Sequence, residues 1–501
     1  MKVAVIGAGA AGYFAAISAK EKFPDAEVTL LEKSTKILSK VLVSGGGRCN
    51  VTHACFEISK LTRFYPRGAR FLKKAFHQFN TNHTVVWFQE RGVKLKTESD
   101  NRMFPFSDSS QTIINCLMSE SERLGIKVNL QTAISSIVPH DEGFNLTIGE
   151  YDKIKVDNVI VATGGSSKEE GLNWLKELGH TVVKPVPSLF TFNMPNEPIK
   201  ELMGLVAPEA RVKIQGSKLS AVGPLLITHW GMSGPAILKL SAFGARELAD
   251  FNYNFTVLVN WVNVDSEDDF RKDFISILES SKKGKLGNLR MESIPKRLWS
   301  FILDKLELDS NSICGELSKK NINRIINTLL NDEFKVEGKT TFKEEFVTCG
   351  GVALNQVDPQ TMESKIVPNL YFAGEVLDID GVTGGFNFQA AWTTGYIAGK
   401  LQSPNRVIEV KEPENSDRER GRYDDRSQDD RKERGDDRSK GKFEDRGRDR
   451  NYRGNSDREK GRGSDRNRNN GSKSDRQPRK FDDSRRDKFN PKVKPGGRKR
   501  I

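Results

Sequence analysis

Apolar residues gather along this chain in short runs separated by glycine-rich turns, the pattern of buried strands alternating with helices. Lys2-Val3-Ala4-Val5-Ile6 reads as a buried strand. It runs into Gly7-Ala8-Gly9-Ala10-Ala11-Gly12 and then an apolar helix start, Tyr13-Phe14-Ala15-Ala16-Ile17. A second strand is expected over 26–31, ending at Glu32. Residues 68–125 read as mostly helical, broken at 101–107. Short strands are expected at 127–130, 133–137 and 144–148, and a buried one from 158 that ends in Ala162-Thr163-Gly164-Gly165. From 187 to about 342 the character changes, with strands at 211–214 and 255–259 and polar helical stretches at 266–282 and 292–335. Residues 223–236 hold three glycines and two prolines around His229-Trp230 and read as loop. The first pattern returns at 348–352, in a strand over 370–378 that ends in an acid, and in Gly384-Gly385 opening a helix.

These elements predict an α/β, Rossmann-like dinucleotide-binding domain in two parts, 1–188 and 343–402. A mixed β/α insert is expected at 189–342 and a disordered basic tail at 403–501. In the opening turn Gly7 permits the tight bend, Gly9 lets backbone approach a pyrophosphate, and Gly12 lets helix pack on strand. Glu32, twenty residues past Gly12, binds ribose hydroxyls and repels a 2′-phosphate, which points to FAD or NAD.

Charge divides the chain. Residues 401–501 hold 33 Lys+Arg against 22 Asp+Glu, so the tail carries +11 of the total +13 and the body is nearly neutral. The basic average is therefore no argument that the body binds nucleic acid. The tail is poor in apolar residues and cannot bury enough surface to fold. Its acid-free end, 488–500, is the stretch suited to weak contact with RNA or another polyanion. Five cysteines, an odd number, fit a reducing compartment. No cysteine or histidine group has metal spacing, no secretory leader fits before the first strand, and no apolar run is long enough to cross a membrane, so a cytoplasmic location is expected.

Three candidates for chemistry on a substrate emerge. Arg48, beside Gly45-Gly46-Gly47, can pair with phosphate or a carboxylate; His229 can act as acid or base; Asn387 follows the second glycine pair. Cys49 and Cys55 follow a glycine loop as a redox pair does in flavin disulfide reductases, but five residues separate them, one more than in those enzymes.

The motifs together resemble the bacterial FAD-binding flavoproteins labelled the aminoacetone oxidase family. The resemblance spans about residues 1–402. It rests on the opening turn, Ser44-Gly45-Gly46-Gly47-Arg48-Cys49-Asn50-Val51-Thr52, Ala162-Thr163-Gly164-Gly165, Thr228-His229-Trp230-Gly231-Met232-Ser233-Gly234-Pro235, Thr348-Cys349-Gly350-Gly351-Val352, Gly374-Glu375-Val376-Leu377-Asp378 and Gly384-Gly385-Phe386-Asn387. The chain departs from the family pattern around Asp108-Ser109-Ser110 and at 166–174.

The resemblance implies noncovalent FAD on a fold of the two-dinucleotide-binding type. It implies cofactor contacts at Gly7, Gly9, Ala11, Gly12, Glu32, Lys33, Lys40, Ser44, Gly45, Gly46, Arg48, Cys49, Asn50, Ile134, Thr163, Gly164, Gly374, Glu375, Gly385, Phe386 and Asn387. The implied activity is hydride transfer at the flavin to or from a small organic substrate. Residues 1–400 hold no second Gly-x-Gly-x-x-Gly unit, so the redox partner is either NAD(P)H docking transiently or oxygen. The competing readings are a non-catalytic flavin-binding protein whose tail associates with RNA, and a disulfide reductase.

Overall fold

In the computed structural model, residues 1–340 and 347–402 are described. The expectations for the tail, and the boundary placed at 342–343, lie outside them.

Five short parallel strands form the central sheet, in the spatial order Leu370–Phe372, Asn158–Val161, Lys2–Ile6, Glu27–Leu31, Lys127–Asn129. The middle strands are buried along their length: helix Ala10–Lys22 packs on them, and the antiparallel strand Gly143–Ile148 also contacts the strand Asn158–Val161. The helix Ala10–Lys22 follows the first strand and packs along the last helix, Phe386–Gly399. Backbone meets backbone there: a methyl group at Gly395 would stand 2.5 Å from the Ala11 carbonyl oxygen. The helices Ala10–Lys22 and Phe386–Gly399 are thereby locked together on one face of the sheet.

A second apolar core surrounds a seven-stranded sheet in the order Asp332–Glu337, Asn254–Asn260, Val206–Ile214, Ser220–Thr228, Gly231–Ser233, Thr191–Asn193, Lys339–Thr340. Helices Pro235–Phe243, Glu267–Ser280, Lys296–Lys305 and Lys319–Leu330 belong to this part of the chain. An antiparallel pair, Val182–Pro187 with Thr348–Val352, joins the two regions.

Four local readings need correction. Residues 223–236 are not a loop: Ser220–Thr228 and Gly231–Ser233 form a hairpin that turns at His229-Trp230. Pro224 is tolerated because it faces the register shift opposite Ala207 and Ala210, where a missing N–H costs no ladder bond. The stretch 292–335 ends in the strand Asp332–Glu337, whose alternating burial is a two-residue period that a helical reading passes over. The break at 101–107 contains the strand Arg102–Pro105, paired with Leu95–Thr97 and Thr52–His53. The strand placed over 370–378 stops at Phe372, and a 3-10 turn, Gly374–Val376, follows.

Candidate functional site

The ends of the parallel strands open into a cavity of about 940 Å³. Ligands bind at this edge of such sheets because the loops leaving the strand ends diverge there. Glycine shapes its floor. Gly7 has φ +106°, and a methyl at Gly12 would stand 1.9 Å from the Gly7 carbonyl oxygen, so the turn closes only without side chains. Gly9 is different: nothing lies within 4 Å of where its Cβ would be, so its backbone faces open space. Gly9 also caps the helix Ala10–Lys22 with no side-chain bond, and the first turn carries no acid. The free N–H groups and the helix dipole there favour an anion.

At one end of the cavity Glu32 follows the strand Glu27–Leu31. Its carboxylate accepts from the Ala8 and Ser34 N–H groups, each at 2.9 Å, and each oxygen keeps a lone-pair direction for a further donor. Lys33, Thr132, Ala133 and Ile134 line the same end. Lys40 pairs with Glu375 at 2.5 Å, tying the segment after the second strand to the turn after Phe372. Asn50, with its amide turned to satisfy both neighbours, donates to the Thr52 carbonyl and accepts from the Gly385 N–H, each at 3.0 Å. The Asn387 amide closes the adjoining loop on both polar groups of the Gly381 backbone, at 2.8 and 2.9 Å.

Of the expected cofactor residues, Gly7, Gly9, Ala11, Glu32, Lys33, Lys40, Ser44, Gly45, Gly46, Asn50, Ile134, Thr163, Gly164, Gly374, Glu375, Gly385 and Asn387 line this one cavity. Four others stand outside its lining. Gly12 is occupied in helix packing. The Arg48 guanidinium turns away to pair with Glu98 at 2.6 Å and lies 4.0 Å from the centre of the Phe104 ring. Cys49 is fully buried, and burial pushes its thiol up to about 12. Phe386 is buried, stacked on Phe64 with ring centres 4.3 Å apart. His229 is also outside the lining: it is exposed at the hairpin turn against Trp230.

A wall that the sequence motifs touch at a single residue completes the cavity. Leu189, Phe190, Thr191, Ser233, Leu238, Thr340 and Val347 reach it from the seven-stranded region and the joining pair. Only Ser233 falls in a motif singled out beforehand. The others are placed by strand pairing between distant segments, which has no local signature.

The residues fit FAD. A bare backbone turn with free N–H groups suits a pyrophosphate, a carboxylate at the end of the neighbouring strand suits a ribose, and 940 Å³ lies in the upper range of ligand cavities. Among the described residues no group of His, Cys, Asp and Glu is arranged to hold a metal, and no helix is long and apolar enough to cross a membrane.

Comparison with known proteins agrees. The chain is 27% identical over 407 residues to a 3-dehydro-bile acid delta(4,6)-reductase of Clostridium scindens, covering 80% of this chain and 98% of that protein. It is 29% identical over 403 residues to a ribosomal RNA dihydrouridine synthase of Haemophilus influenzae, covering 78% and 96%. It is 28% identical over 407 residues to the Escherichia coli protein of the same name, covering 79% and 96%. The family model described as HI0933-like protein Rossmann domain matches residues 1–401. This chain therefore belongs to the HI0933-like family, the aminoacetone oxidase-like FAD-dependent oxidoreductases, and carries that family's Rossmann-type FAD-binding domain.

Proposed function

We propose that the protein reduces a carbon–carbon double bond conjugated with a carbonyl group, with FAD as the hydride carrier and NAD(P)H as the electron source. The observation that carries this reading is the composition of the cavity. A glycine-lined floor suited to the cofactor meets a wall of Leu189, Phe190, Leu238 and Val347, apolar surface against which a flat ring can lie. The names of the relatives point to one reaction, hydrogen added across a ring double bond: in a 3-dehydro bile acid for one, in uridine for the others.

Bound FAD supplies the two electrons as hydride. The chain supplies position and polarity. The seventeen cavity-lining residues named above are the proposed cofactor contacts. Ser233 brings to the substrate wall a hydroxyl able to bind the carbonyl oxygen and draw electron density from the alkene, whereas the Thr191 and Thr340 hydroxyls already donate to the Thr340 carbonyl and the Asn193 amide oxygen. Residues 189–342 act in this reading as the cap that supplies that wall, and residues 1–188 with 343–402 as the cofactor domain.

Anaerobic absorbance tests the proposal. NADH or NADPH should bleach the bound flavin. Cyclohex-2-enone should then restore the oxidised spectrum, and cyclohexanone should not. Reoxidation by oxygen alone, with no conjugated alkene effective, would return the oxidase reading. Failure of both nicotinamides to bleach the flavin would remove NAD(P)H as donor.

A further inference from the structure

The glycine pair that opens the last helix encloses one peptide unit, and both of its polar ends are held. The Gly384 carbonyl accepts from Nδ1 of His53 at 3.1 Å. The Gly385 N–H, the other end of the same peptide, donates to the Asn50 side chain at 3.0 Å. One segment, 50–53, therefore grips the unit at both ends. It lies directly behind it: a methyl group at Gly385 would stand 2.7 Å from the Thr52 carbonyl. A carbonyl has no proton to give, so His53 carries a hydrogen on Nδ1. Burial lowers the His53 pKa, which keeps the ring neutral at pH 7 with that nitrogen as the donor.

The grip is rigid. The Val51 carbonyl accepts from the Trp392 indole at 2.9 Å, and the Thr52 hydroxyl donates to the buried Gln389 at 2.6 Å, both on helix Phe386–Gly399. His53 packs on Phe386, with ring centres 4.6 Å apart. The gripped peptide has no such rigidity of its own. Gly384 and Gly385 have φ of +120° and +93°, and with no Cβ on either side the peptide plane is free to turn over once its two bonds are lost. The unit also stands at the substrate end of the cavity. Gly384 and Gly385 line it, and four residues before Gly384 the Asp380 carboxylate accepts from Ser188, the neighbour of Leu189 in the apolar wall.

We propose that His53 and Asn50 are positioning residues that keep the Gly384 carbonyl turned away from the flavin and thereby hold its reduction potential low. The inference rests on FAD as the hydride carrier and is indifferent to which alkene is reduced. Hydride from NAD(P)H, which leaves as NAD(P)+, puts a hydrogen on a ring nitrogen and turns an acceptor into a donor. A glycine peptide free to turn would bring its carbonyl to that new N–H. The bond would stabilise the reduced ring and make it a poorer hydride donor. The clamp denies the reduced flavin this acceptor, so the hydride passes readily to the alkene, whose second hydrogen arrives as a proton from water.

The test measures the potential of the full chain with FAD bound, by equilibration with a reference dye. His53→Phe keeps the packing on Phe386 and frees the carbonyl; Asn50→Leu frees the N–H; His53→Gln retains a donor. The two releasing variants should favour reduced over oxidised flavin about tenfold more than wild type does, a rise of about 30 mV for two electrons. His53→Gln should stay at the wild-type value. Reoxidation by cyclohex-2-enone should slow in the releasing variants, and reduction by NAD(P)H should not. His53→Phe, which removes no other side-chain hydrogen bond, decides alone if Asn50→Leu does not fold. Wild-type potentials in the releasing variants would overturn the inference. So would equal shifts in His53→Phe and His53→Gln, which would assign the effect to packing. Loss of FAD from His53→Phe with unchanged thermal melting would also overturn it, making the clamp a contact that only retains the cofactor. The expected shifts in a protein that cyclohex-2-enone does not reoxidise would uphold this inference and remove the conjugated-alkene reading.

Discussion

Cys49 follows Gly45-Gly46-Gly47-Arg48, beside a glycine-lined cavity, yet its surroundings make it inert. It has no exposed surface, and burial raises its thiol to about 12, so almost none is thiolate at neutral pH. Cys55, half-buried six residues on, also has its thiol pushed up, first by burial and then by Glu57. Neither is poised to attack a disulfide. We expect native protein at pH 8 to leave Cys49 unlabelled by a thiol reagent, with no new dithiol when the flavin is reduced; two thiols released on reduction would restore the disulfide-reductase reading. At this scale much of the cavity was legible in the sequence, because Gly7, Gly9, Glu32 and Gly385 obey spacing rules set by local backbone geometry. Arg48 was not legible. Its residue type fits an anion, but its partner Glu98 lies fifty residues away, and only the fold shows which acid claims it.

Among the elements, one contact holds the two regions together. Arg67, just before the helix Ala69–Phe76, makes a bidentate pair with the fully buried Asp380, donates to Ser188 at 3.1 Å, and donates to the last turn of helix Pro235–Phe243. Ser188 donates to the same carboxylate. One guanidinium therefore joins the 380–385 cavity loop, the exit of the strand Val182–Pro187 and the cap helix. Burial pushes the Asp380 carboxyl up, opposed by Arg67 and Ser188, so the pair is delicately balanced. Arg67→Met should destabilise the protein by about 3–5 kcal/mol, because it strands a buried charge, while Arg67→Met/Asp380→Leu should recover most of the loss. Denaturant midpoints of the two variants check this, and equal losses would show that packing matters here and charge does not. Such clamps escape sequence reading for the same reason the hairpin 220–233 did. Glycine and proline announce a turn locally, but the strands that enclose them are fixed by partners such as Val206–Ile214, which lie elsewhere in the chain.

Across the whole molecule, a large stretch of sequence separates the two halves of the parallel sheet, and they must find each other as the protein folds. His180 marks one point where they meet. It follows the helix Asn173–Glu177, is 3% exposed, bonds through Nε2 to the Ser364 hydroxyl at 2.7 Å, and sets its ring edge-on to Phe372 of the central sheet. Burial lowers its pKa below 6.5, with the Leu175 backbone opposing. An unfolded histidine takes up a proton near 6.5, whereas the folded one resists it. Between the folded and unfolded values the unfolded state therefore binds more protons, and stability rises with pH. The contribution is complete above 6.5 and declines as pH falls, by at most about 1.4 kcal/mol per pH unit. His53, also lowered chiefly by burial, adds a slope of the same sign. His180→Gln should cost stability at pH 7.5, where the Ser364 contact is weakened, but should lose less on going to pH 5. The variant's pH–stability curve should therefore be shallower below 6.5 and approach the wild-type curve. Parallel curves from chemical denaturation across that range would mean that His180 is protonated without strain, and that the seam between the two halves tolerates charge.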